Sequence, residues 1–160
     1  MGSTQIIAEP GIPQIVITRE FDAPRELVFR AYTEPELLVQ WWGPRDHSLK
    51  IERYEVRDGG KWRFVATDAD GTDHGFHGVF HGDPSPDGIG IVQTFEYEAM
   101  PGSVALDTAT FEERGGATVV RTVTSFQSVE DRGAMVASGM EDGARESYQR
   151  LVELLARQEA

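Results

Sequence analysis

The hydrophobic pattern changes period twice along the chain. From Gln14 to Phe21 it alternates, with Ile15 and Ile17 opposite Val16 and Thr18, which predicts a strand. Asp22-Ala23-Pro24 ends it, and a proline suited to a first helical turn predicts a short helix over Arg25 to Tyr32. Thr33-Glu34-Pro35-Glu36 has capping-box spacing for a second short helix, closed by Gln40-Trp41-Trp42-Gly43-Pro44. Period two then returns. It predicts strands at about 46–56, 60–67, 73–82, 89–98, 104–113 and 117–126, separated by Gly, Pro and Asp turn sequences such as Asp58-Gly59-Gly60 and Gly115-Gly116. Consecutive short strands of this kind form an antiparallel meander.

The last segment is helical. Ser128 with Asp131 three residues on gives a start signal, and Val136, Met140, Ala144, Leu151, Leu154 and Leu155 form one apolar stripe bordered by Tyr148. The pattern predicts one long helix from Ser128 to Gln158. Glu141/Arg145, Glu146/Arg150 and Glu153/Arg157 have the spacing of i,i+4 ion pairs on its outer side. Gly143 and Ser147 interrupt the stripe where a core helix carries bulk, which implies either close approach of another backbone or a cavity.

Strand parity assigns faces. Trp62/Phe64, His74/Phe76/Gly78/Phe80 and Phe95/Tyr97 fall on one side, while Lys61/Arg63, His77/His81 and Thr94/Glu96 fall on the other. An apolar sheet face has to be covered, and the C-terminal helix is the one amphipathic element long enough to cover it. The predicted fold class is therefore α+β: a curved antiparallel sheet of about seven strands, two short helices after the first strand, and a long C-terminal helix across the sheet. Residues 1–13, with two prolines and two glycines, read as a flexible leader to a single domain over 14–158.

Composition narrows the function. The net charge of −12 disfavours nucleic acid and anionic membrane surfaces. The absence of cysteine excludes disulfides, thiolate metal sites and a cysteine nucleophile. Neither a signal peptide nor an 18-residue apolar run is present, so a cytoplasmic location is the default expectation and no membrane insertion is expected. His77 and His81 have a metal-ligand spacing only on a helix; on a strand they stand ~13 Å apart, so no metal site is expected. Asp68-Ala69-Asp70-Gly71-Thr72-Asp73 departs from a calcium loop in the place of its glycine and in Val79 at position twelve, and reads as a hairpin turn. There is no nucleophile elbow, phosphate-binding loop or dinucleotide fingerprint, and no cofactor is expected.

The motifs carry a resemblance. Phe21-Asp22-Ala23-Pro24-Arg25-Glu26-Leu27-Val28-Phe29, the Trp41-Trp42-Gly43-Pro44 helix exit, Gly59-Gly60-Lys61-Trp62-Arg63-Phe64, Asp70-Gly71 with Phe76-His77-Gly78-Val79-Phe80, and Gly139-Met140-Glu141-Asp142-Gly143 before Tyr148 and Leu151 all contribute. Over Gln14 to Arg157 the chain resembles the START-like (SRPBCC) helix-grip superfamily, in the family related to the activator of heat-shock-protein-90 ATPase, C-terminal-domain form. That resemblance implies a cavity between sheet and helix. Superfamily members bind lipids, polyketides or other hydrophobic molecules there, some cyclise polyketides, and some are co-chaperones; the co-chaperone's separate N-terminal partner-binding domain has no counterpart in these residues. No catalytic residue carries over.

The leading expectation is a carrier or sensor of a small hydrophobic or aromatic molecule, with Trp62, Phe64, Phe76, Phe80, Phe95, Met140, Gly143 and Tyr148 as wall and His74 and Tyr97 orienting the ligand. Two alternatives stay open. One is a cyclase or hydratase-like enzyme using His74, Tyr97 or a buried carboxylate, which requires two polar groups converging on the cavity. The other is a chaperone-linked or stress-related interaction module using an exposed Trp41-Trp42 patch, though burial of both rings is expected. A protein partner has no motif behind it, and homodimerisation is left open.

Overall fold

The computed structural model describes residues 4–159. Its eight strands are β1 (Gln5–Ile7), β2 (Gln14–Phe21), β3 (Ser48–Tyr54), β4 (Lys61–Thr67), β5 (Asp73–Val79), β6 (Ile91–Tyr97), β7 (Val104–Arg114) and β8 (Ala117–Ser125). They form one antiparallel sheet in the order β1-β2-β8-β7-β6-β5-β4-β3. The helices are α1 (Arg25–Thr33), α2 (Pro35–Leu38), α3 (Val129–Ala137) and α4 (Met140–Glu159). The predicted α+β helix-grip architecture is present: β3 to β8 is a meander, and α1 and α2 carry the chain from β2 to the far edge.

Four local expectations are corrected. The sheet has eight strands, because Gln5–Ile7 within the expected leader pairs with Val16–Thr18. The leader is also fastened by two arginines: Arg132 Nη1 donates to Glu9 O at 3.0 Å and Arg145 Nη1 to Thr4 O at 2.5 Å. The C-terminal segment is two helices. Ser128 caps α3 as expected, accepting from Asp131 N–H at 3.0 Å, but Gly139 adopts φ +87°, a left-handed conformation that ends α3 and turns the chain into α4. Thr33 is no helix cap: its hydroxyl donates to Phe29 O at 3.0 Å and Glu34 stands at the start of α2.

The fourth correction concerns the arginines of α4. None of the three expected i,i+4 pairs forms. Arg145 is taken by the leader, Arg150 donates to Gly43 O at 2.7 Å and Gln40 O at 2.9 Å, and Glu153 accepts both guanidinium bonds of Arg45 at 3.0 and 2.6 Å. Tertiary acceptors outcompete the weak pairing along one helix. These contacts fasten α4 to the α2–β3 loop, which becomes the rim of the site.

The core runs from Ile15, Phe21, Val28 and Val120 to Phe80, and Leu151, Leu154 and Leu155 anchor the C-terminal half of α4 in it. The N-terminal half of α4, around Gly143, stands off the sheet.

Candidate functional site

The space between the sheet and helices α3 and α4 is divided into two lobes that share Trp42, Gly43 and Pro44 as a wall. The inner lobe has a volume of about 340 Å³ and lies under Met140, Gly143, Ala144, Ser147 and Tyr148, which share one helix face. Gly143 and Ser147 settle the question posed by the interrupted stripe, and each answers it differently. A Cβ on Gly143 would meet nothing nearer than Pro44 Cγ at 3.9 Å, so this glycine opens space. Ser147 Oγ accepts the Gly43 N–H at 2.8 Å, so this small residue admits another backbone.

The outer lobe, about 430 Å³, is walled by Phe76, Phe95, Tyr97 and Phe126 from the sheet side and by Ala134 and Met135 from α3. Volumes of this size suit a small organic molecule. Trp42 is the partition: its ring meets Phe64 at 5.3 Å and Phe76 at 5.5 Å, edge to face. Trp41 is buried, with its indole N–H donating to Ala31 O at 2.9 Å, whereas Trp42 is only half-buried. The expected burial of both rings holds for Trp41 alone.

Of the ten residues selected from sequence, Phe64, Met140, Gly143 and Tyr148 line the inner lobe, and His74, Phe76, Phe95 and Tyr97 line the outer one. Trp62 and Phe80 line neither. Both are core residues behind the wall: Trp62 packs on Phe64 at 4.7 Å and Phe95 at 5.9 Å, and Phe80 packs on Tyr54 at 5.5 Å. The strand parity was right, but these two residues sit where other aromatic side chains cover them.

The polar groups are the informative part. At the outer lobe His74 Nδ1 lies 2.8 Å from the Tyr97 hydroxyl and His74 Nε2 lies 2.9 Å from Asp68 Oδ2. Asp68 also accepts the N–H groups of Asp70 and Thr72 at 2.9 and 3.0 Å, which builds the hairpin turn anticipated from sequence. The bond from His74, then these backbone donors, hold the Asp68 carboxyl below its usual range. A carboxylate can only accept, so a neutral His74 carries its proton on Nε2 and receives the Tyr97 O–H at Nδ1. This assignment follows from the bonding network.

The inner lobe holds a second polar set that sequence reasoning missed: Asp107, Gln93, Thr122 and Tyr32. Register explains their convergence. Gln93 pairs with Asp107 and Asp107 with Thr124, so one row of inward side chains crosses β6, β7 and β8; the next row is Ile91, Ala109 and Thr122. Thr124 Oγ1 donates to Asp107 Oδ1 at 2.7 Å. Burial pushes the Asp107 carboxyl up to about 6, against the smaller opposing effect of that bond. Burial likewise raises the phenols of Tyr32 and Tyr148. The Tyr32 hydroxyl is enclosed beside the Tyr148 phenol.

On the opposite face of the sheet, Arg63 grips Glu98 with two bonds of 2.8 and 2.7 Å, and His77 Nδ1 lies 2.9 Å from the same carboxylate. No group of three or more His, Cys, Asp or Glu side chains suited to a metal ion occurs among the described residues. No helix among them is long and apolar enough to cross a membrane.

Comparison with known proteins agrees with this architecture. No curated protein matches the chain. Among solved structures, a solution structure of an Arthrobacter aurescens protein superposes with a TM-score of 0.86 at 25% identity, covering 96% of this chain and 91% of that one. A crystal structure of a Rhodobacter sphaeroides protein gives 0.87 at 26% identity, covering 97% and 99%. An AHSA1 protein from Silicibacter pomeroyi shares the fold at 18% identity, with a TM-score of 0.68 over 91% of this chain and 99% of that one. The family model described as activator of Hsp90 ATPase homolog 1-like protein matches residues 22–156, and the chain belongs to that family.

Proposed function

We propose that the protein binds a small hydrophobic or aromatic molecule in the space between the sheet and the C-terminal helices α3 and α4, as a carrier or sensor. The observation that carries this reading is the pair of lobes flanking Trp42, in which aromatic and aliphatic side chains make most of each wall and a few polar side chains are set among them. A core packed for stability alone would fill such volumes, because each unfilled methyl-sized space costs about 1 kcal/mol. The test is titration with an environment-sensitive uncharged dye such as N-phenyl-1-naphthylamine, with quenching of Trp42 fluorescence read in a Trp41→Phe, Trp62→Phe background. Saturable one-to-one binding supports the proposal; its absence in the folded protein refutes it.

The bonding of His74 favours a second reading, acid–base catalysis at the outer lobe. With Asp68 fixing the proton on Nε2, Nδ1 can take the Tyr97 proton as the phenol oxygen takes one from a bound molecule. Tyr97→Phe would then abolish turnover far beyond its effect on ligand affinity, whereas a carrier has no turnover to lose. The interaction-module reading is left with little support, since Trp41 is buried and Trp42 serves as the partition between lobes.

A further inference from the structure

Asp107 is a half-buried carboxylate with no cation among the residues lining its cavity. Among the described residues its one hydrogen-bond donor is Thr124, although a carboxylate has about four acceptor positions. No Lys, Arg or His lines the inner lobe, nor the recess between Ile15, Phe95 and Met140 that Asp107 also faces. An isolated enclosed charge is costly, and proteins ordinarily pair it. Here the missing partner has a place to sit. The carboxylate lines a cavity bounded also by Tyr32, Trp41, Trp42, Tyr54, Phe64 and Tyr148, and an aromatic wall of this kind suits a cation. The Thr122 and Gln93 side chains and the enclosed Tyr32 hydroxyl, which neighbours the Tyr148 phenol, add acceptors for N–H donors. The net charge of −12 draws cations toward the protein and repels anionic ligands.

We propose that the inner lobe recognises a protonated amine carried on an apolar or aromatic body, with the Asp107 carboxylate as its counter-ion. The proposal rests on the carrier reading above and adds the chemistry of the head group. Ligand carboxylates are disfavoured by Asp107 itself. A neutral hydroxyl would satisfy the hydrogen bonds and leave the charge uncompensated.

The titratable groups facing Asp107 are few. Tyr148 from α4 is near enough for the carboxylate charge to oppose its ionisation, and Tyr32 from α1 and Tyr54 from β3 are the other phenols of the lobe. Burial raises all three, so none changes charge in the range where Asp107 does. An alkylamine remains protonated throughout that range.

Isothermal titration of the intact protein at about 0.15 M salt, with 1-naphthylmethylamine and its neutral isostere 1-naphthalenemethanol, tests this. At about pH 8 the amine should bind about tenfold tighter than the alcohol or better. Asp107→Asn should remove that advantage and leave alcohol affinity within about twofold. In the wild-type protein the advantage should fall away toward about pH 5, as Asp107 takes up its proton. This second measurement decides the matter should the variant fail to fold. Equal affinities in the wild type, or an amine advantage that survives Asp107→Asn or acidification, overturn the proposal. Alcohol binding without an amine advantage removes this inference and leaves the carrier reading standing; binding of neither probe removes both.

Discussion

His74 Nδ1 lies 2.8 Å from the Tyr97 hydroxyl while its other ring nitrogen is committed to Asp68, so Tyr97 meets the outer lobe as a hydrogen-bond acceptor. A hydroxylated aromatic such as 1-naphthol should use that oxygen. Tyr97→Phe should weaken 1-naphthol about threefold to tenfold, the range of one net hydrogen bond, and leave naphthalene binding unchanged. Equal losses for both probes, measured by calorimetry, would show that the hydroxyl serves packing alone.

Gly143 separates stability from binding. It lies within α4, where Gly costs about 1 kcal/mol against a good helix former, and a side chain there points past Pro44 into the inner lobe. Gly143→Leu should raise the urea midpoint while abolishing binding of a dye lodged in that lobe. A variant that keeps full dye binding would place the ligand elsewhere.

Gly78 is required for a different reason. A Cβ there would stand 1.9 Å from Thr94 O and 2.7 Å from Trp62 Nε1, because β5 and β6 approach closely where Thr94 Oγ1, in place of a backbone carbonyl, accepts the Val79 N–H at 2.9 Å. Gly78→Ala should destabilise the fold by about 2–4 kcal/mol, read from equilibrium urea unfolding. A loss below about 0.5 kcal/mol would show that the two strands can separate freely.

Glu98 provides acid sensitivity on the opposite face. The bonds from Arg63 and then His77 hold its carboxyl down at about 2, below the usual value of 4.5. A depressed carboxyl stabilises the fold above its unfolded value and loses that contribution as pH falls from about 4.5 toward 2. Discounted for partial exposure, Glu98→Gln should cost about 1–2 kcal/mol near neutrality and almost nothing near pH 2. The measurement is the difference in unfolding free energy between variant and wild type across that range.

What could be read from the sequence followed the strength of the repeating pattern. Strand parity placed Phe64, Phe76, Phe95, His74 and Tyr97 correctly, because period-two alternation of bulky aromatic and polar residues is unambiguous. On β7 the inward row is Ala105, Asp107, Ala109 and Phe111, while Leu106 on the outward row is exposed. There the ordinary signal is inverted: small residues and an acid face inward, since they line a cavity rather than fill a core. The available clue was Ala105-x-Asp107-x-Ala109 in strand alternation beside an aromatic sheet. Tyr32 was equally hidden, because it reaches the lobe from α1 and only the packing of α1 under α4 brings it there. The break at Gly139 was written in the chain as a glycine inside a helical stripe, but its positive φ is a property of the fold.

Asp107 should make the protein less stable as the solution becomes less acidic. Its folded value of about 6 lies above the usual value of 3.8, so the folded chain binds the proton more tightly than the unfolded chain. The contribution is fully retained below about pH 3.8 and is lost as pH rises through about 6. A shift of this size corresponds to about 3 kcal/mol at most; contact with the cavity reduces the expectation to about 1–3 kcal/mol. Asp107→Asn carries no charge and keeps an acceptor for Thr124, so it should match the wild type near pH 4 and exceed its stability by that amount near pH 8. The opposite sign, with the Asn variant weaker at pH 8 in the absence of any ligand, would mean that the ionised carboxylate already has a partner within the fold. That result would also remove the reason for seeking its counter-ion in a bound amine.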